Sequence, residues 1–329
     1  MLLLSIESSC DETSAAVIKD GTEVLSNSVS TQIAVHQAFG GVFPEVASRL
    51  HVEKINLVIK DALKIAGVSL EDLDAIAFTQ GPGLVGSLHV GVMAAKTLAW
   101  SLDIPLVPVH HIAGHIYANM LSGDLEFPLM ALVISGGHTE LVYMESDYSF
   151  EVIGKTQDDA VGEAYDKVAR LMGLAYPGGP IIDKLAKEGK KNYILPKTKT
   201  ESVLDFSFSG LKSAVRQSML REERNDQPLI VEDMAFAFQN RAVDQLMERV
   251  ESALAEYSVK TLVLAGGVAA NSLVRERIYK FQNDETQVLI PPIWACMDQA
   301  AMIGLAGFKA YERGVRGDCE ISANSNMVL

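Results

Sequence analysis

The stretch that decides the fold is Leu129-Met130-Ala131-Leu132-Val133-Ile134-Ser135-Gly136-Gly137-His138-Thr139, an apolar strand that runs directly into a glycine turn. Apolar segments at residues 141–144 and 150–153 can supply two further strands. The same order occurs at the start of the chain, where apolar residues 2–6 precede a polar turn at 7–14 and apolar segments at 15–18 and 24–29. This agreement predicts an internal duplication.

The later segments of the two halves also correspond. Residues 75–79 form a predicted strand that ends in Gln80-Gly81-Pro82-Gly83 before a long helix, and residues 261–264 form one that ends in Ala265-Gly266-Gly267 before a helix at 271–281. Residues 105–109 then precede a helix near His111, as residues 288–290 precede one near Asp298. Each half therefore reads strand-strand-strand-helix-strand-helix-strand-helix, which predicts an α/β fold.

We predict an N-terminal lobe at residues 1–125 and a C-terminal lobe at 126–329, with a helical insertion at about 155–257. A duplicated fold of this kind is expected to close around a central cleft. Turns at the ends of strands would line that cleft, because ligands of open α/β sheets bind there.

Composition excludes several classes of protein. Apolar residues make up 48% of the 329 and charged residues 21%, so the chain is not intrinsically disordered. No apolar run is long enough to span a membrane, and the N-terminus does not resemble a signal peptide. Three cysteines without a CxxC pair indicate a reducing compartment, so we expect a cytoplasmic protein with no membrane association.

Two histidines suggest a metal site. His111 and His115 lie four residues apart, so on a helix they share one face, as a chelate requires. The repeat places Asp298 at the equivalent helix start in the second half, where it could complete a three-ligand set. The alternatives are a pair of ordinary surface or core histidines and a simple helix N-cap at Asp298.

Glycine turns suggest a nucleotide site. Ser135-Gly136-Gly137-His138 and Gly266-Gly267 suit a nucleotide laid between them, although tight turns need glycine without any ligand. Residues 81–86 match GxGxxG, but no suitably placed acid follows, so a dinucleotide site is disfavoured. Asp11 and Glu12 lie in the first hairpin turn. They are either an ordinary polar turn or acids that bind metal or transfer a proton.

Several motifs together resemble those of the universal threonylcarbamoyl-adenosine transferase family, whose members were once described as glycoprotein endopeptidases. The resemblance covers residues from about 3 to 315. It rests on residues 5–14 (SIESSCDETS), 80–83 (QGPG), 110–115 (HHIAGH), 135–139 (SGGHT), 162–167 (GEAYDK), 176–180 (YPGGP) and 266–271 (GGVAAN).

The resemblance implies a duplicated actin-like, sugar-kinase-like ATPase fold in two lobes. It implies one divalent metal ion, iron favoured and zinc possible, held by His111, His115 and Asp298. The residues implied to bind the substrate threonylcarbamoyl-AMP are Val133, Ile134, Ser135, Gly136, Gly137, Asp166, Gly179, Asp183 and Asn271, with Asp166 and Asp183 accepting from ribose hydroxyls.

The implied reaction transfers the threonylcarbamoyl group to N6 of adenosine 37 in transfer RNAs that read codons beginning with A, and releases AMP. Glu12 and His138 are the candidates for removing the N6 proton, and the sequence does not choose between them. The implied partners are transfer RNA, a shorter and catalytically silent paralogue of the same fold, and a small P-loop-type ATPase. The tail at residues 323–329 carries no familiar motif.

Three other functions compete with this interpretation. A zinc peptidase of the H-E-x-x-H type would need a glutamate where Ile112 stands. A small-molecule kinase would need an acid for Mg²⁺, for which two histidines are the wrong ligands. A catalytically silent scaffold would not need the two histidines and Asp298.

Charge is unevenly distributed along the chain. The formal net charge of −14 argues against a dedicated nucleic-acid binder, yet residues 184–224 contain ten Lys or Arg against five Asp or Glu. We predict that this segment forms one edge of the RNA path, with phosphates contacted by Lys190, Lys191, Lys197 and Lys199. The alternative is a merely solvated surface.

Overall fold

The computed structural model describes residues 1–329, which divide into two compact units. The first unit contains Met1–Asp124 together with Pro291–Leu329, and the second contains Leu125–Ile290. None of the helices is both long and apolar enough to cross a membrane.

Each unit is built on one five-stranded mixed sheet. The strands of the first are β1 (Leu2–Glu7), β2 (Glu12–Lys19), β3 (Glu23–Thr31), β4 (Ala75–Gly81) and β5 (Leu106–His110), in the spatial order β3-β2-β1-β4-β5. The strands of the second are β6 (Leu129–Ile134), β7 (Thr139–Met144), β8 (Glu151–Lys155), β9 (Thr261–Ala265) and β10 (Gln287–Leu289), in the order β10-β9-β6-β7-β8. Read from its other edge, the second sheet has the order β8-β7-β6-β9-β10, which is the order of the first sheet with β6 in the place of β1.

The pairing directions repeat as well. β1 pairs antiparallel with β2 and parallel with β4, and β6 pairs antiparallel with β7 and parallel with β9. The central strands β1 and β6 are almost wholly buried, as expected for strands with both faces covered, which explains their continuous apolar sequences. The predicted duplication is therefore present in the structure.

Ten α-helices connect or cover the sheets. They are α1 (Ile33–Gln37), α2 (Pro44–Ala66), α3 (Val85–Leu102), α4 (His111–Tyr117), α5 (Val161–Leu171), α6 (Gly178–Ala186), α7 (Ser209–Arg224), α8 (Val231–Glu256), α9 (Ser272–Ile278) and α10 (Ala300–Glu312). Helices α5 to α8 lie between β8 and β9, where the helical insertion at about 155–257 was predicted.

The lobe boundary expected near residue 125 agrees with the division of the chain, but the assignment of all of 126–329 to the second lobe is wrong. Residues 291–329 belong to the first unit because α10 packs against β1, β2, β4 and β5. Small residues allow this close approach. A Cβ added at Gly304 would lie 2.8 Å from Ser5 Oγ, and one at Gly307 would lie 2.6 Å from Ala77 Cβ.

Candidate metal centre and nucleotide-binding turns

Helix α4 presents two histidines on one buried face. It begins immediately after β5, and His110 caps it by accepting a hydrogen bond from the Ile112 amide at 3.1 Å. His111 and His115 are one turn apart, and their ring centroids are separated by 4.7 Å. The shared face predicted from the i, i+4 spacing is therefore present, and neither ring is a surface histidine.

Asp298 lies beside both rings in the same unit. Its Oδ1 atom is 3.2 Å from His115 Nε2 and 3.6 Å from His111 Nε2. Asp298 stands two residues before α10, whose N-cap is Gln299, so the alternative interpretation of Asp298 as a simple N-cap is wrong. The three side chains instead form one cluster, with potential ligand atoms all within 4.8 Å of one another.

The cluster fits a divalent metal ion. Ligands about 2.1 Å from one ion are about 3.0–3.5 Å apart at the usual coordination angles, which is close to the spacing around Asp298 Oδ1. Both ring nitrogens of His115 are buried, and Asp298 is the polar group that lies beside Nε2, so an imidazole able to bind a metal ion is held in the interior. Two imidazoles and one carboxylate suit zinc or iron and leave positions open for a substrate.

Electrostatics favour a cation at this place. Burial alone would lower the pKa of His111, but the carboxylates of Asp298 and Glu7 raise it to about 9. Burial lowers the pKa of His115, which favours the neutral ring and keeps the lone pair of one nitrogen available. A cluster that draws a proton onto one histidine would also attract a metal ion in place of that proton.

Glu7, at the end of β1, was missed by the sequence analysis as a site residue. Its side chain is fully buried, and Oε2 lies 3.1 Å from His111 Nδ1 while it also accepts from the Thr79 hydroxyl. The other oxygen accepts from the Ser9 amide. A carboxylate on the far nitrogen of a metal-binding histidine fixes ring orientation and tautomer. The available signal was an acid that ends an otherwise apolar central strand.

Glu12 begins β2 rather than lying in the preceding turn, where it was predicted together with Asp11. Its Oε1 accepts from the Thr31 hydroxyl at 3.2 Å. Burial, with the neighbouring carboxylates of Asp11 and Asp298, raises the pKa of Glu12 to about 9. Glu12 is therefore a protonated, buried acid at neutral pH, which is not the behaviour of an ordinary polar turn.

In the second unit, Ser135 organises the hairpin turn that follows β6. Its hydroxyl accepts from the amides of Gly137 and His138, and its own amide donates to the His138 carbonyl at 2.8 Å. A Cβ added at Gly136 or Gly137 would meet no protein atom within 4 Å, so this turn does not need glycine for packing. Its outer side is open to a ligand.

The neighbouring backbone shows which predicted residues can reach such a ligand. A Cβ added at Gly179, near the start of α6, would also meet no protein atom within 4 Å. Val133 and Ile134 have fully buried side chains, so only their backbone can face a ligand. Gly266, by contrast, has φ of +89°, and a Cβ there would lie 2.4 Å from the Ile134 carbonyl oxygen. That glycine is required by the fold itself.

Asp166 joins two of the helices in this unit. Its Oδ1 accepts from the Gly178 amide at 2.7 Å, and so fixes the start of α6 against α5. Burial raises the pKa of Asp166, although the hydrogen bond from the Gly178 amide acts to lower it. The residue is thus placed beside Gly179, as the predicted substrate site requires.

Asp183 and Asn271 belong to one hydrogen-bond network whose centre, Gln239, the sequence analysis missed. Gln239 accepts from Asn271 Nδ2 at 3.0 Å and donates to Asp183 Oδ1 at 3.1 Å. Asn271 Oδ1 also caps α9 through the amides of Leu273 and Val274, and Asp183 accepts from the Ser272 hydroxyl at 2.8 Å. Gln239 lies on the long helix α8, where only apolar periodicity was visible in the sequence.

The C-terminal tail supports the helix that carries both histidines. The Asn324 amide donates to the Gln80 carbonyl, and the Gly83 amide donates to the Ser325 carbonyl at 3.3 Å. His110 Nε2 lies 3.2 Å from the Met327 carbonyl oxygen. The tail, which carries no familiar motif, therefore packs on the QGPG loop and on the residue that caps α4.

Comparison with solved structures defines the class of the protein. Full-length HypF, in a phosphate- and nucleotide-bound form, superposes with a TM-score of 0.64 at 16% identity, over 97% of this chain and 56% of that one. Component A of the (R)-2-hydroxyglutaryl-CoA dehydratase of Acidaminococcus fermentans superposes with a TM-score of 0.54 at 14% identity. The match covers 94% of this chain and 97% of that one. Together with the duplicated sheets, these matches confirm the predicted actin-like, sugar-kinase-like ATPase fold.

Sequence comparison identifies the family within that class. The TsaD model, described as tRNA N6-adenosine threonylcarbamoyltransferase, matches residues 23–305, and the chain belongs to this family. A protein of that name from Staphylococcus carnosus (strain TM300) is 54% identical over 328 residues, which cover 99% of this chain and 96% of the relative. The protein of that name from Bacillus subtilis (strain 168) is also 54% identical, over 100% of this chain and 96% of the relative.

Proposed function

We propose that this chain is an acyltransferase that moves the threonylcarbamoyl group from threonylcarbamoyl-AMP to N6 of adenosine 37 in transfer RNAs that read codons beginning with A. The observation that carries the proposal is that a chain of this family retains a complete cluster of His111, His115 and Asp298, in which both histidines are buried. A catalytically silent scaffold would have no need of such a cluster.

In this reaction the N6 amine forms a bond to the carbamoyl carbon. The bond from that carbon to the phosphate oxygen breaks, AMP departs with the electron pair, and the amine loses a proton. An aromatic amine is a weak nucleophile, so the chain must position it and accept its proton. We assign proton removal to Glu12 or His138. Glu12 can accept this proton only as a carboxylate, and its pKa of about 9 keeps it protonated at neutral pH in the metal-free protein.

We assign the adenylate site to the second unit. The open glycines Gly136, Gly137 and Gly179 leave room for phosphate and ribose next to amide groups, and the backbone of Val133 to Ser135 borders the same turn. Asp166 and Asp183 are proposed acceptors for ribose hydroxyls, with Asn271 beside them. The existing partners of Asp183 and Asn271 support a positioning network that is formed before the ligand arrives.

We propose that His111, His115 and Asp298 hold one divalent ion, with iron favoured over zinc. A bound ion would polarise an oxygen of the acyl donor and neutralise charge that develops on its phosphate side. Glu7 holds the His111 ring in the orientation that directs Nε2 toward Asp298. The same ligand set argues against a magnesium-dependent kinase.

We further propose two protein partners, a shorter paralogue of the same fold and a small P-loop-type ATPase, and a cytoplasmic location. Helix α3 supports a protein partner, because Val85, Met93 and Trp100 are exposed apolar residues at spacings of eight and seven and so form one stripe. Trp100 is 83% exposed. A related fold that carries an equivalent helix could cover this stripe.

The test is an assay of the modified nucleoside. The metal-loaded chain, its two partners, threonylcarbamoyl-AMP and an unmodified transfer RNA transcript should yield threonylcarbamoyl-adenosine and an equal amount of AMP. A protease assay with the same metal-loaded protein should show no cleavage of a glycoprotein. Absence of the modified nucleoside with all components present would refute the proposed function.

A further inference from the structure

A basic groove lies in the second unit between α5 and α7. It encloses about 400 Å³ and is lined by Lys167, Arg170 and Leu171 from α5 and by Lys212, Ser213 and Arg216 from α7. Four of these six residues are cationic, on a chain whose formal net charge is −14. The groove is therefore a strong local exception to the charge of the protein.

Two of the cations have no partner within the protein. Lys212 and Arg216 lie one turn apart on α7 and make no hydrogen bond or ion pair. The neighbouring face of α7 holds the buried side chains of Leu211 and Val215, which fix the rotation of the helix and keep Lys212 and Arg216 at its outer side. On the other wall, Lys167 pairs with Asp159 at 2.6 Å and with Glu163 at 2.9 Å.

The two walls are fixed relative to each other. Asp158 lies just before α5 and accepts from the amides of Phe208 and Ser209 at the start of α7. It also accepts from the hydroxyls of Ser207 and Ser209. These hydrogen bonds hold the beginning of α7 against the approach to α5, so the groove is formed without a ligand.

The groove adjoins the residues assigned to the adenylate. Arg170 is one turn beyond Asp166 on α5, and its positive charge acts on that carboxylate. Because Arg170 also lines the groove, a polyanion bound along Lys212 and Arg216 would lie beside a residue one helical turn from Asp166. The two free cations are exposed or half-buried, which suits a solvated phosphate backbone better than a small anion enclosed by protein.

We propose that this groove binds the phosphate backbone of the transfer RNA substrate, with Lys212 and Arg216 as the principal contacts. The inference rests on the proposed function and adds a binding surface to it. The lysines predicted from the sequence, Lys190, Lys191, Lys197 and Lys199, are exposed in the preceding loop. Lys197 pairs with Glu248 at 2.7 Å, so it is less available than Lys212.

The test measures binding of an unmodified transfer RNA transcript to the metal-loaded chain between about 50 and 200 mM salt. Lys212→Glu/Arg216→Glu should weaken binding about tenfold or more and flatten the log–log salt dependence by about two units. A control, Lys260→Glu/Lys280→Glu, makes the same charge change at exposed sites of the same unit. Its affinity for the transcript and its salt dependence should each stay within about twofold of the wild-type values. A milder variant, Lys212→Gln/Arg216→Gln, should flatten the salt dependence of binding in the same way as the Glu pair. Circular dichroism would verify that each variant is folded.

Two results would overturn the inference. One is an unchanged affinity and salt slope in the Glu and Gln pairs. The other is displacement of the transcript by millimolar inorganic phosphate, which would indicate a small-anion site. Failure of the proposed function is separate, since the wild-type chain would then bind the transcript yet form no modified nucleoside with its partners and adenylate.

Discussion

Glu7 Oε2 lies 3.1 Å from His111 Nδ1, and both side chains are buried in the first unit. One carboxylate thus connects the central strand β1 to the helix that carries both histidines. The charge of His111 and its hydrogen bond lower the pKa of Glu7 against the opposing effect of burial, so this carboxylate is ionised. An ionised Glu7 fixes the Nδ1 proton and leaves Nε2 for a metal ion.

Glu7→Gln keeps the size of the side chain and removes its charge. Metal affinity should fall by about 10–100-fold, because the amide no longer holds the His111 ring as firmly or raises its basicity. Transfer activity should recover when excess metal is added. Competitive metal titration would measure the effect, with the exposed Glu71→Gln as the matched control. Equal metal affinity in both variants would show that Glu7 only stabilises the fold.

His111→Ala or His115→Ala should empty the metal site and abolish transfer, because a single carboxylate and one imidazole hold a divalent ion weakly. Elemental analysis of the purified variants would measure occupancy. His89→Ala, at an exposed histidine of α3, is the control and should keep its metal. Full occupancy in the His111/His115 double variant would contradict the site.

Asp166→Ala and Asn271→Ala should weaken adenylate binding while metal content stays near normal, since both residues lie in the second unit. Calorimetry with a stable adenylate analogue would measure this. Asn271→Ala also loses the cap of α9, which costs about 1 kcal/mol of stability. Asn271→Asp keeps a capping oxygen for α9 but replaces the donor to Gln239 by a carboxylate oxygen, so it separates the cap from the contact with Gln239. Unchanged affinity in both alanine variants would remove these residues from the site.

Glu12→Gln should alter the pH dependence of stability in the metal-free protein. The folded-state pKa of Glu12 is about 9 and that of the unfolded chain about 4.5, so between these values the folded state holds a proton that the unfolded state lacks. Wild-type stability therefore contains a contribution that declines as pH rises through this window. The variant lacks it and should gain about 3 kcal/mol over wild type between pH 5.5 and pH 8. Urea unfolding at the two pH values would test this, and parallel curves for the two proteins would contradict it.

Much of the fold was predictable because the duplication appears in the order of apolar segments. The repeat also related Asp298 to the His111 helix, although those residues are far apart in the chain. The sequence could not reveal that α10 lies on the sheet of the first unit. A repeat describes the order of elements, whereas the packing of α10 depends on close contacts such as that between Gly307 and Ala77.

The residues that support the site were harder to predict than those that carry its chemistry. His111 and His115 have a spacing with a direct geometric meaning, and the glycine turns are visible as turns. Glu7 and Gln239 act through partners that are distant in sequence. An acid at the end of an apolar strand was the only local signal for Glu7, and Gln239 had none.

The discontinuity of the first unit has a consequence for biosynthesis. Ribosomes add residues from the N-terminus, and Leu125–Ile290 is continuous, so the second unit can fold while the first still lacks Asp298, α10 and the tail that packs on the cap of α4. Metal capture thus becomes possible only after nearly the entire message has been translated. A polypeptide released at a premature stop codon between residues 116 and 298 would contain both histidines without their carboxylate partner, so it would lack one of the three candidate ligands for a divalent ion.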